Sequence, residues 1–410
     1  MKVGIVVPYS WSFWGGVVEH AQEQAAALME LGLDVRLLIG HDPPGPLSRA
    51  LHPTAGRFDL PPPHVIPLGR SVIAPANGSL ANIVLSPSAV RRLERTLREE
   101  SFDLLHIHEP LTPAIGVAAL ARATTPIVAT FHAAGASRWR RAALPLWGFL
   151  LERIDVRIAV SPAALETAQA YAPGDYRLLP NGVRIPERVE CGGRRDHVIF
   201  IGRHESRKGL AVLLRAWPEV HRGTGARLRI VGADPLAVRH LLHRNRIQPD
   251  GIDLLGVLPS RELDRELAEA KLLVAPSLGS ESFGMVLTRA FAAGTPVVAS
   301  DIDGYRQLVP RHAGLLVPPG DTDALAHAIA HLLLDETERH KQAVAARALA
   351  ERHYAWPELA RALHRLYVEQ LAPTLPLESA SIEKTNGGLT ASSTTRTTSR
   401  RNHLPARESR

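Results

Sequence analysis

Residues 198–209 read VIFIGRHESRKG. The apolar run Val198–Ile201 predicts a short buried strand, and the helical pattern Gly209–His221 follows after a loop that carries glycines and cations. The same succession of a short strand, a loop and a helix recurs along the chain. Such alternation is typical of a parallel sheet covered by crossover helices, so the sequence predicts an α/β fold.

The predicted strands fall into two series, which indicates that one architecture occurs twice. The charged, glycine-containing stretch Glu187–Asp196 separates the two series. In chain order, the predicted strands are Val3–Val7, Val35–Ile39, Leu104–His108, Pro126–Thr130 and Arg157–Val160, then Val198–Ile201, Arg227–Val231, Leu272–Ala275 and Pro296–Ser300. Further helical patterns cover Phe283–Ala293 and Trp356–Leu371. We therefore predict two Rossmann-like domains, with a ligand site in the cleft beyond the carboxyl ends of their strands.

The composition excludes several classes of protein. Cys191 is the only cysteine among 410 residues, which excludes disulfides within the chain and cysteine-rich metal sites and favours the cytoplasm. The net charge of +7 does not indicate nucleic-acid binding, because the Ser-, Thr- and Asn-rich tail 372–410 contributes +3 of it and no basic motif is interleaved with aromatic residues. We predict a disordered tail and no binding of nucleic acid.

The hydropathy of the chain predicts that any membrane contact is peripheral. The stretch Val3–Val7 is too short for a secretory signal, and no apolar run approaches the ~18–20 residues of a membrane-spanning helix. The segment Ser88–Glu100 predicts a helix with one apolar face and one basic face, and a second basic and apolar segment covers Arg138–Leu151. The basic residues of the first segment are Arg91, Arg92, Arg95 and Arg98. They could rest on an anionic membrane surface, or they could form an ordinary arginine-rich surface.

Three segments that follow predicted strands carry the candidate site. Gly15 and Gly16 open a helix, where backbone N–H groups can approach a phosphate; a purely structural turn is the alternative. Arg203 and Lys208 would form a diphosphate clamp that needs no metal, unless they belong to a solvated basic loop. Glu281 precedes another helix and can accept hydrogen bonds from sugar hydroxyls, or it simply caps that helix.

Taken together, the motifs resemble those of a known family. The motifs, in chain order, are Gly15-Gly16, His106-Ile107-His108-Glu109-Pro110, Thr130-Phe131-His132, Pro180-Asn181-Gly182-Val183, Gly202-Arg203 with Arg207-Lys208-Gly209, and Glu281-Ser282-Phe283-Gly284. Over residues 1–371 the chain is similar to the retaining family-four glycosyltransferases of GT-B fold. Within that family it most resembles the bacterial phosphatidylinositol mannosyltransferases, which use GDP-mannose.

The resemblance implies a role for each matching residue on the donor side. Arg203 and Lys208 would bind the donor diphosphate, Gly16 would lie by its β-phosphate, and Gly15 would belong to the same donor site. His132 would lie beside the anomeric centre. The transferred sugar and the phosphate would be held by Glu281 and the backbone of Phe283, Gly284 and Met285. In this family the leaving phosphate is usually described as taking the acceptor's proton on the same face of the sugar, so no protein nucleophile, no cofactor and no protein-bound metal are expected.

The resemblance also implies a division of labour between the domains. Residues 1–185 would bind the acceptor, residues 186–355 would bind the nucleotide sugar, and the helix 356–371 would cross back onto the first domain. The matching acceptor residues would be Tyr9, Asn77, Gly78 and Ser79, together with Arg138. The acceptor would be an inositol phospholipid at the inner face of the cell membrane.

Some positions depart from the family pattern. Arg289 stands where the family usually has a second glutamate, eight residues after Glu281, that binds the ribose of the donor. A cation cannot accept hydrogen bonds from ribose hydroxyls, so donor affinity or nucleotide preference would change, and loss of activity is conceivable. Asn82 and Ser137 replace the arginine and lysine that the mannosyltransferases use for the inositol phosphate. A different glycolipid or soluble acceptor, or a silent sugar-nucleotide-binding protein, therefore remains an alternative.

Two further patterns resemble metal sites but fit structural roles better. Asp301 and Asp303 form a D-x-D pattern before a helix, where capping accounts for them better than metal binding. His106 and His108 alternate on one predicted strand and would point the same way. We predict that these two histidines are hydrogen-bonded core or cleft residues rather than metal ligands.

Overall fold

The structure is a computed structural model that describes residues 1–13, 15–51, 61–76, 79–135, 144–187 and 195–371. The predictions for Asn77, Gly78, Arg138 and the tail 372–410 lie outside these residues. The residues up to Pro373 belong to one compact unit. Its described part consists of two lobes, each built on a parallel sheet.

The first lobe contains the first series of predicted strands. Its strands are β1 (Lys2–Ser10), β2 (Asp34–Gly40), β3 (Val65–Pro67), β4 (Val72–Ala76), β5 (Ser79–Ile83), β6 (Leu104–His108), β7 (Ile127–Phe131), β8 (Val156–Ala159) and β9 (Tyr176–Leu178). The strand order is β3-β2-β1-β6-β7-β8-β9, and each of these neighbours pairs in parallel. The antiparallel hairpin of β4 and β5 joins this lobe where Ile83 pairs with Tyr9.

Helices cover the first sheet and bury its apolar side chains. They are α1 (Gly16–Glu30), α2 (Pro46–Leu51), α3 (Pro87–Glu100), α4 (Ile115–Arg122), α5 (Leu144–Leu151) and α6 (Pro162–Gln169). Val18, Ala21 and Leu28 recur at helical spacing on α1 and are buried, because this face of the helix packs on the sheet. Gly32 follows the helix with a φ of +84°, a left-handed conformation that glycine adopts without strain.

The second lobe repeats the architecture. Its strands are β10 (Arg195–Ile201), β11 (Arg227–Val231), β12 (Ile252–Gly256), β13 (Ala270–Ala275), β14 (Val297–Ser300) and β15 (Gly314–Val317), in the parallel order β12-β11-β10-β13-β14-β15. Its helices are α7 (Leu210–Thr224), α8 (Pro235–Arg244), α9 (Ser260–Glu269), α10 (Met285–Ala292), α11 (Asp303–Arg306), α12 (Thr322–Leu334) and α13 (Glu336–His353). A 3₁₀ turn, Ser206–Lys208, lies between β10 and α7.

The last described helix, α14 (Trp356–Leu371), crosses back to the first lobe. Its residues Leu359, Leu363 and Tyr367 are buried in the same core as β1 and α1. The Trp356 indole donates a hydrogen bond to Glu23 Oε2 on α1 at 2.6 Å. The two parallel α/β lobes and this returning helix confirm the predicted fold class.

Candidate functional site

A cavity of about 220 Å³ lies between the two lobes, because residues of both lobes line it. The structure brings together there six of the predicted site residues, namely Tyr9, Gly15, Gly16, His132, Arg203 and Glu281. The first lobe supplies most of the wall, and the second lobe supplies the cations. This placement at the carboxyl ends of parallel strands is where α/β proteins usually bind ligands.

Three cations of one loop surround Glu281 and a second glutamate. Lys208 Nζ and Arg207 Nη1 approach Glu281 Oε1 at 2.7 and 2.5 Å. Arg203 and Arg207 each approach a carboxylate oxygen of Glu205 at 2.8 Å. Sequence reasoning assigned no role to Arg207, although a third cation in the same loop was the available signal. A diphosphate that enters the cavity would compete with the two carboxylates for the three cations. The cations would then exchange a carboxylate partner for a phosphate partner.

Gly209 fixes the backbone of the loop that carries these cations. Gly209 ends the 3₁₀ turn with a φ of +70°, and a Cβ there would overlap the carbonyl oxygen of Pro276. Next to this contact, the backbone N–H of Leu278 donates a hydrogen bond to the carbonyl of Arg207 at 2.7 Å. The loop that carries Arg207 and Lys208 is therefore held against the loop that leads to Glu281.

Two helix N-termini lie close together, and that of α1 lines the cavity. Gly16 begins α1 and Met285 begins α10, and a Cβ on Gly16 would lie 3.3 Å from Met285 Sδ. Neither helix has a side-chain hydrogen bond at its cap, which is Gly15 for α1 and Gly284 for α10. Both helices therefore direct the positive ends of their dipoles towards the same region, which favours an anionic ligand.

Glu109 holds the backbone that presents His132. Its Oε1 accepts hydrogen bonds from the backbone N–H groups of His132 and Ala133 at 2.7 and 2.8 Å. Glu109 is 5% exposed and has a φ of +50°, a conformation that costs energy for a residue with a Cβ. The sequence motif contained this glutamate, but nothing in the sequence showed which atoms it binds.

If the protein has the sugar-transfer activity that its motifs predict, we expect Glu109→Ala to lower that rate by about tenfold. The free energy of unfolding should fall by about 1–2 kcal/mol, because two buried N–H groups lose their acceptor. Glu109→Gln keeps an acceptor oxygen in the same place, so this variant should retain most of the rate and most of the free energy of unfolding. Transfer kinetics and urea unfolding of the two variants measure the difference. Equal losses in both variants would show that the charge of Glu109, rather than its position as an acceptor, is what matters.

Four buried histidines form a group that begins at His132 in the cavity wall and continues behind it. His106 bonds through Nε2 to Thr130 Oγ1 at 2.6 Å and through Nδ1 to Tyr367 at 2.5 Å, which confirms that it is a hydrogen-bonded core residue. The rings of His106 and His108 stack with centroids 4.8 Å apart, so they do point the same way. Burial lowers the pKa of His20 and His106 to about 3 and the pKa of His108 and His132 well below the usual value. These imidazoles are therefore neutral at neutral pH.

The part of the cavity wall that the first lobe supplies mixes polar and apolar side chains and contains no lysine or arginine among its described residues. Tyr9 and Asn82 both line it. Ser79 is the first residue of β5. Asn77, Gly78 and Arg138 lie outside the described residues. The cations described in the cavity wall, Arg203 and Arg207, belong to the second lobe.

Arg289 joins the two lobes. Its guanidinium approaches Glu19 Oε1 on α1 at 2.8 Å and Asp264 Oδ1 on α9 at 2.7 Å, and it donates to Ser260 Oγ at 2.6 Å. Burial disfavours its charge, but the two carboxylates outweigh burial and raise the pKa of Arg289. The sequence could not show this role, because Glu19 is 270 residues away along the chain.

We expect Arg289→Gln to lower the free energy of unfolding by about 1–2 kcal/mol, because Glu19 and Asp264 lose a partly buried partner. Glu19→Gln removes the interlobe half of this contact. If Glu19 and Arg289 interact directly, the loss of unfolding free energy in the double variant should be smaller than the sum of the losses in the two single variants. Urea unfolding of all four proteins measures this difference. Additive losses would contradict a direct interaction between Glu19 and Arg289.

The structure corrects the interpretation of the D-x-D pattern. Helix α11 has Ile302 at its N-cap and no side-chain cap hydrogen bond, so the predicted capping role of Asp301 and Asp303 was wrong. Both carboxylates instead pair with Arg306, at 2.7 and 3.0 Å. The single guanidinium offsets half of the charge of the two aspartates, and solvent reaches both carboxylates.

Helix α3 presents its arginines to solvent and its apolar side to the protein. Leu93 and Ala89 are fully buried against the core of the first lobe. The exposed residues on the other side include Arg91, Arg92, Arg95 and Arg98. A membrane contact of α3 would therefore be electrostatic, since its apolar face is already covered. Of the described helices, none has the length and apolar character required to cross a bilayer.

Two parallel-sheet α/β lobes with a cationic cleft between them define the GT-B class of glycosyltransferases. Residues 14–185 match the family model described as Glycosyltransferase Family 4, and residues 195–335 match the model described as Glycosyl transferases group 1. The chain belongs to this glycosyltransferase family, as its motifs predicted.

Named relatives and a solved structure agree with this assignment. The chain is 36% identical to the phosphatidyl-myo-inositol mannosyltransferase of Mycobacterium leprae over 90% of its length and 96% of that protein. It is 34% identical to the protein of the same name from Mycolicibacterium smegmatis, over 90% of the chain and 93% of that protein. The sucrose-phosphate synthase structure from Thermosynechococcus elongatus matches with a TM-score of 0.71 at 21% identity, covering 91% and 99% of the two chains, and supports the fold.

Proposed function

We propose that this protein is a retaining hexosyltransferase that moves mannose from GDP-mannose to a phosphatidylinositol-type lipid. The observation that carries the proposal is the interlobe cavity, whose wall contains His132, Arg203, Arg207 and Glu281. Arg207 and Lys208 pair with Glu281, and Arg203 pairs with Glu205 in the same loop. Transfer of a sugar from a nucleotide develops negative charge on the departing diphosphate. Fixed cations and helix N-termini stabilise such charge when they are held in place beforehand.

The ion pairs of the cavity suggest how the donor is accommodated. Glu281 shares one oxygen between Lys208 and Arg207. A diphosphate that takes over these cations would release the Glu281 carboxylate, which can then accept hydrogen bonds from sugar hydroxyls. Three side-chain cations supply the charge that many transferases obtain from a divalent ion, so we propose that the transfer requires no metal.

The relatives named phosphatidyl-myo-inositol mannosyltransferase support a lipid acceptor, and the four exposed arginines of α3 support contact with an anionic membrane. In this proposal the protein works peripherally at the inner face of the cell membrane. Another glycolipid or a soluble glycoside is the second candidate acceptor. It is favoured by Asn82 and by the lack of lysine and arginine on the described acceptor wall, because an inositol phosphate would need a cation there.

A silent sugar-nucleotide-binding protein is the remaining alternative, because Arg289 replaces a ribose-binding glutamate of the family. In the structure, Arg289 donates hydrogen bonds to Glu19, Asp264 and Ser260, so its charge is paired. A paired Arg289 adds less positive charge to an already cationic site than an isolated guanidinium would, so the substitution is compatible with turnover.

A transfer assay with radiolabelled donors tests the proposal. GDP-mannose and UDP-glucose are each supplied with a chelator, and with phosphatidylinositol vesicles or soluble mannosides as acceptors. We expect label from GDP-mannose in the lipid fraction, and GDP at 100 times its Kd should stabilise the fold by about 2.7 kcal/mol in thermal unfolding. Label only in soluble glycoside would support the second candidate, and thermal protection without transfer would support the silent protein. Absence of protection by any nucleoside diphosphate would contradict all three.

A further inference from the structure

A cluster of three buried histidines adjoins the cavity wall. His20 on α1, His108 at the end of β6 and His132 after β7 each place a ring nitrogen within 4.8 Å of a ring nitrogen of the other two. Their exposed fractions are 5%, 0% and 6%. His132 lines the cavity, so this cluster opens to the interlobe space through one of its members.

The hydrogen bonds of the cluster are incomplete. His108 Nδ1 and His132 Nε2 share a hydrogen bond of 2.8 Å, which an ion bound between the two rings would replace. Among the described residues, His20 Nδ1 and His108 Nε2 are buried without a hydrogen-bond partner. Buried polar nitrogens are almost always paired in native proteins, so the orphan His20 Nδ1 needs a physical cause. His108 Nε2 lies on the opposite side of its ring from Nδ1, so one ion cannot bind both of these nitrogens. His106, which stacks on His108, has partners for both of its nitrogens and needs none.

The spacing is close to that of a metal site. Zinc bound by imidazole has metal–nitrogen distances of ~2.0–2.1 Å, so two tetrahedral nitrogen ligands lie roughly 3.3 Å apart. The observed separations are 2.8 Å for one pair and at most 4.8 Å for the others, so this value lies within their range. Rotations of the side chains on α1, at the end of β6 and after β7 would bring the three nitrogens to it.

The geometry points to His20, His108 and His132 as a binding site for Zn²⁺ with three imidazole ligands, which for His108 departs from the role predicted from the sequence. Three nitrogen ligands suit Zn²⁺ better than Mg²⁺ or Ca²⁺, which prefer oxygen. Glu109 lies beside the site, since it binds the backbone of His132, and its carboxylate would offset part of the metal charge.

The bound metal would act as an inhibitor rather than a cofactor. It would engage the ring of His132, which lines the cavity, and place a cation beside the proposed donor site. This consequence rests on the proposed function, whereas the binding of zinc does not. We expect Zn²⁺ to compete with the donor and a chelator to restore full transfer.

Titration of the untagged full-length chain with Co²⁺, in the absence of any nucleotide, tests the site. We expect the visible absorption bands of tetrahedral Co²⁺ at one equivalent, lost on addition of Zn²⁺. His20→Gln and His108→Gln should each weaken Co²⁺ binding by at least about tenfold, since even outer-shell changes cost this much. The matched control is His340→Gln, which alters an exposed histidine of α13 and should leave the bands unchanged. Absence of tetrahedral bands, or unchanged bands in His108→Gln, would overturn the site.

X-ray absorption of the wild-type zinc complex provides a readout that depends on no variant. Three imidazole neighbours at ~2.0 Å would support the site, and one or two would overturn it. If three imidazoles are found but Zn²⁺ leaves transfer unchanged, the inhibitory role is wrong while the site stands. If transfer is absent altogether, the proposed function fails and the spectroscopic result is unaffected.

Discussion

Replacement of Lys208 by alanine is expected to lower the rate of sugar transfer by about 10²–10³-fold with little change in stability. The ammonium group lies 2.7 Å from Glu281 Oε1, in the loop that also carries Arg203 and Arg207. When the donor reacts, the charge on the leaving diphosphate rises, and a fixed cation stabilises the transition state more than the bound donor. The loss should therefore appear mainly in kcat.

Two further lysine variants make this result specific. Lys341→Ala removes an exposed lysine of α13, away from the described cavity wall, and should leave kcat unchanged. Lys208→Arg keeps the charge but changes its geometry, so it should recover part of the lost rate. Near-normal turnover of Lys208→Ala would contradict the clamp, and so would a loss of the same size in Lys341→Ala.

The central part of both sheets was predictable from the sequence, whereas the edges were not. Leu104–His108 and Arg227–Val231 were predicted with the bounds that the structure has. Each contains three large aliphatic residues in a short run that recurs along the chain between helical patterns. β12 and β15 lie at the edges of the second sheet and were missed. Every residue of β12 is only half-buried, so its sequence mixes polar and apolar residues and loses the signal.

Part of the candidate site could be predicted because charged residues that follow a strand indicate what kind of ligand they bind. Arg203, Lys208 and Glu281 could be proposed because cations and a carboxylate at strand ends suit a charged sugar donor. Contacts between distant segments could not be predicted, because sequence spacing does not report them. The hydrogen bonds from the backbone of His132 to Glu109 and the pairing of Arg289 with Glu19 are of this kind.

Gly209 provides the second prediction with a large effect. We expect Gly209→Ala to lower the free energy of unfolding of the second lobe by about 2–4 kcal/mol, because the new methyl group meets two obstacles. The φ of +70° is unfavourable for any residue with a Cβ, and the Cβ would overlap the carbonyl oxygen of Pro276. The loop of Lys208 and the loop of Glu281 would have to separate to make room, so nucleotide binding should weaken as well.

Gly225 separates the two causes. It ends α7 with a φ of +69°, nearly the same as that of Gly209, but a Cβ there would have no heavy atom within 4 Å. Gly225→Ala should therefore lower the free energy of unfolding by only about 1 kcal/mol, because the unfavourable φ is the single obstacle, and should leave nucleotide binding intact. Urea unfolding and nucleotide titration of both variants measure the difference. If both variants lose the same stability, the close approach of Pro276 does not fix the clamp, and the geometry that brings Lys208 to Glu281 must have another origin.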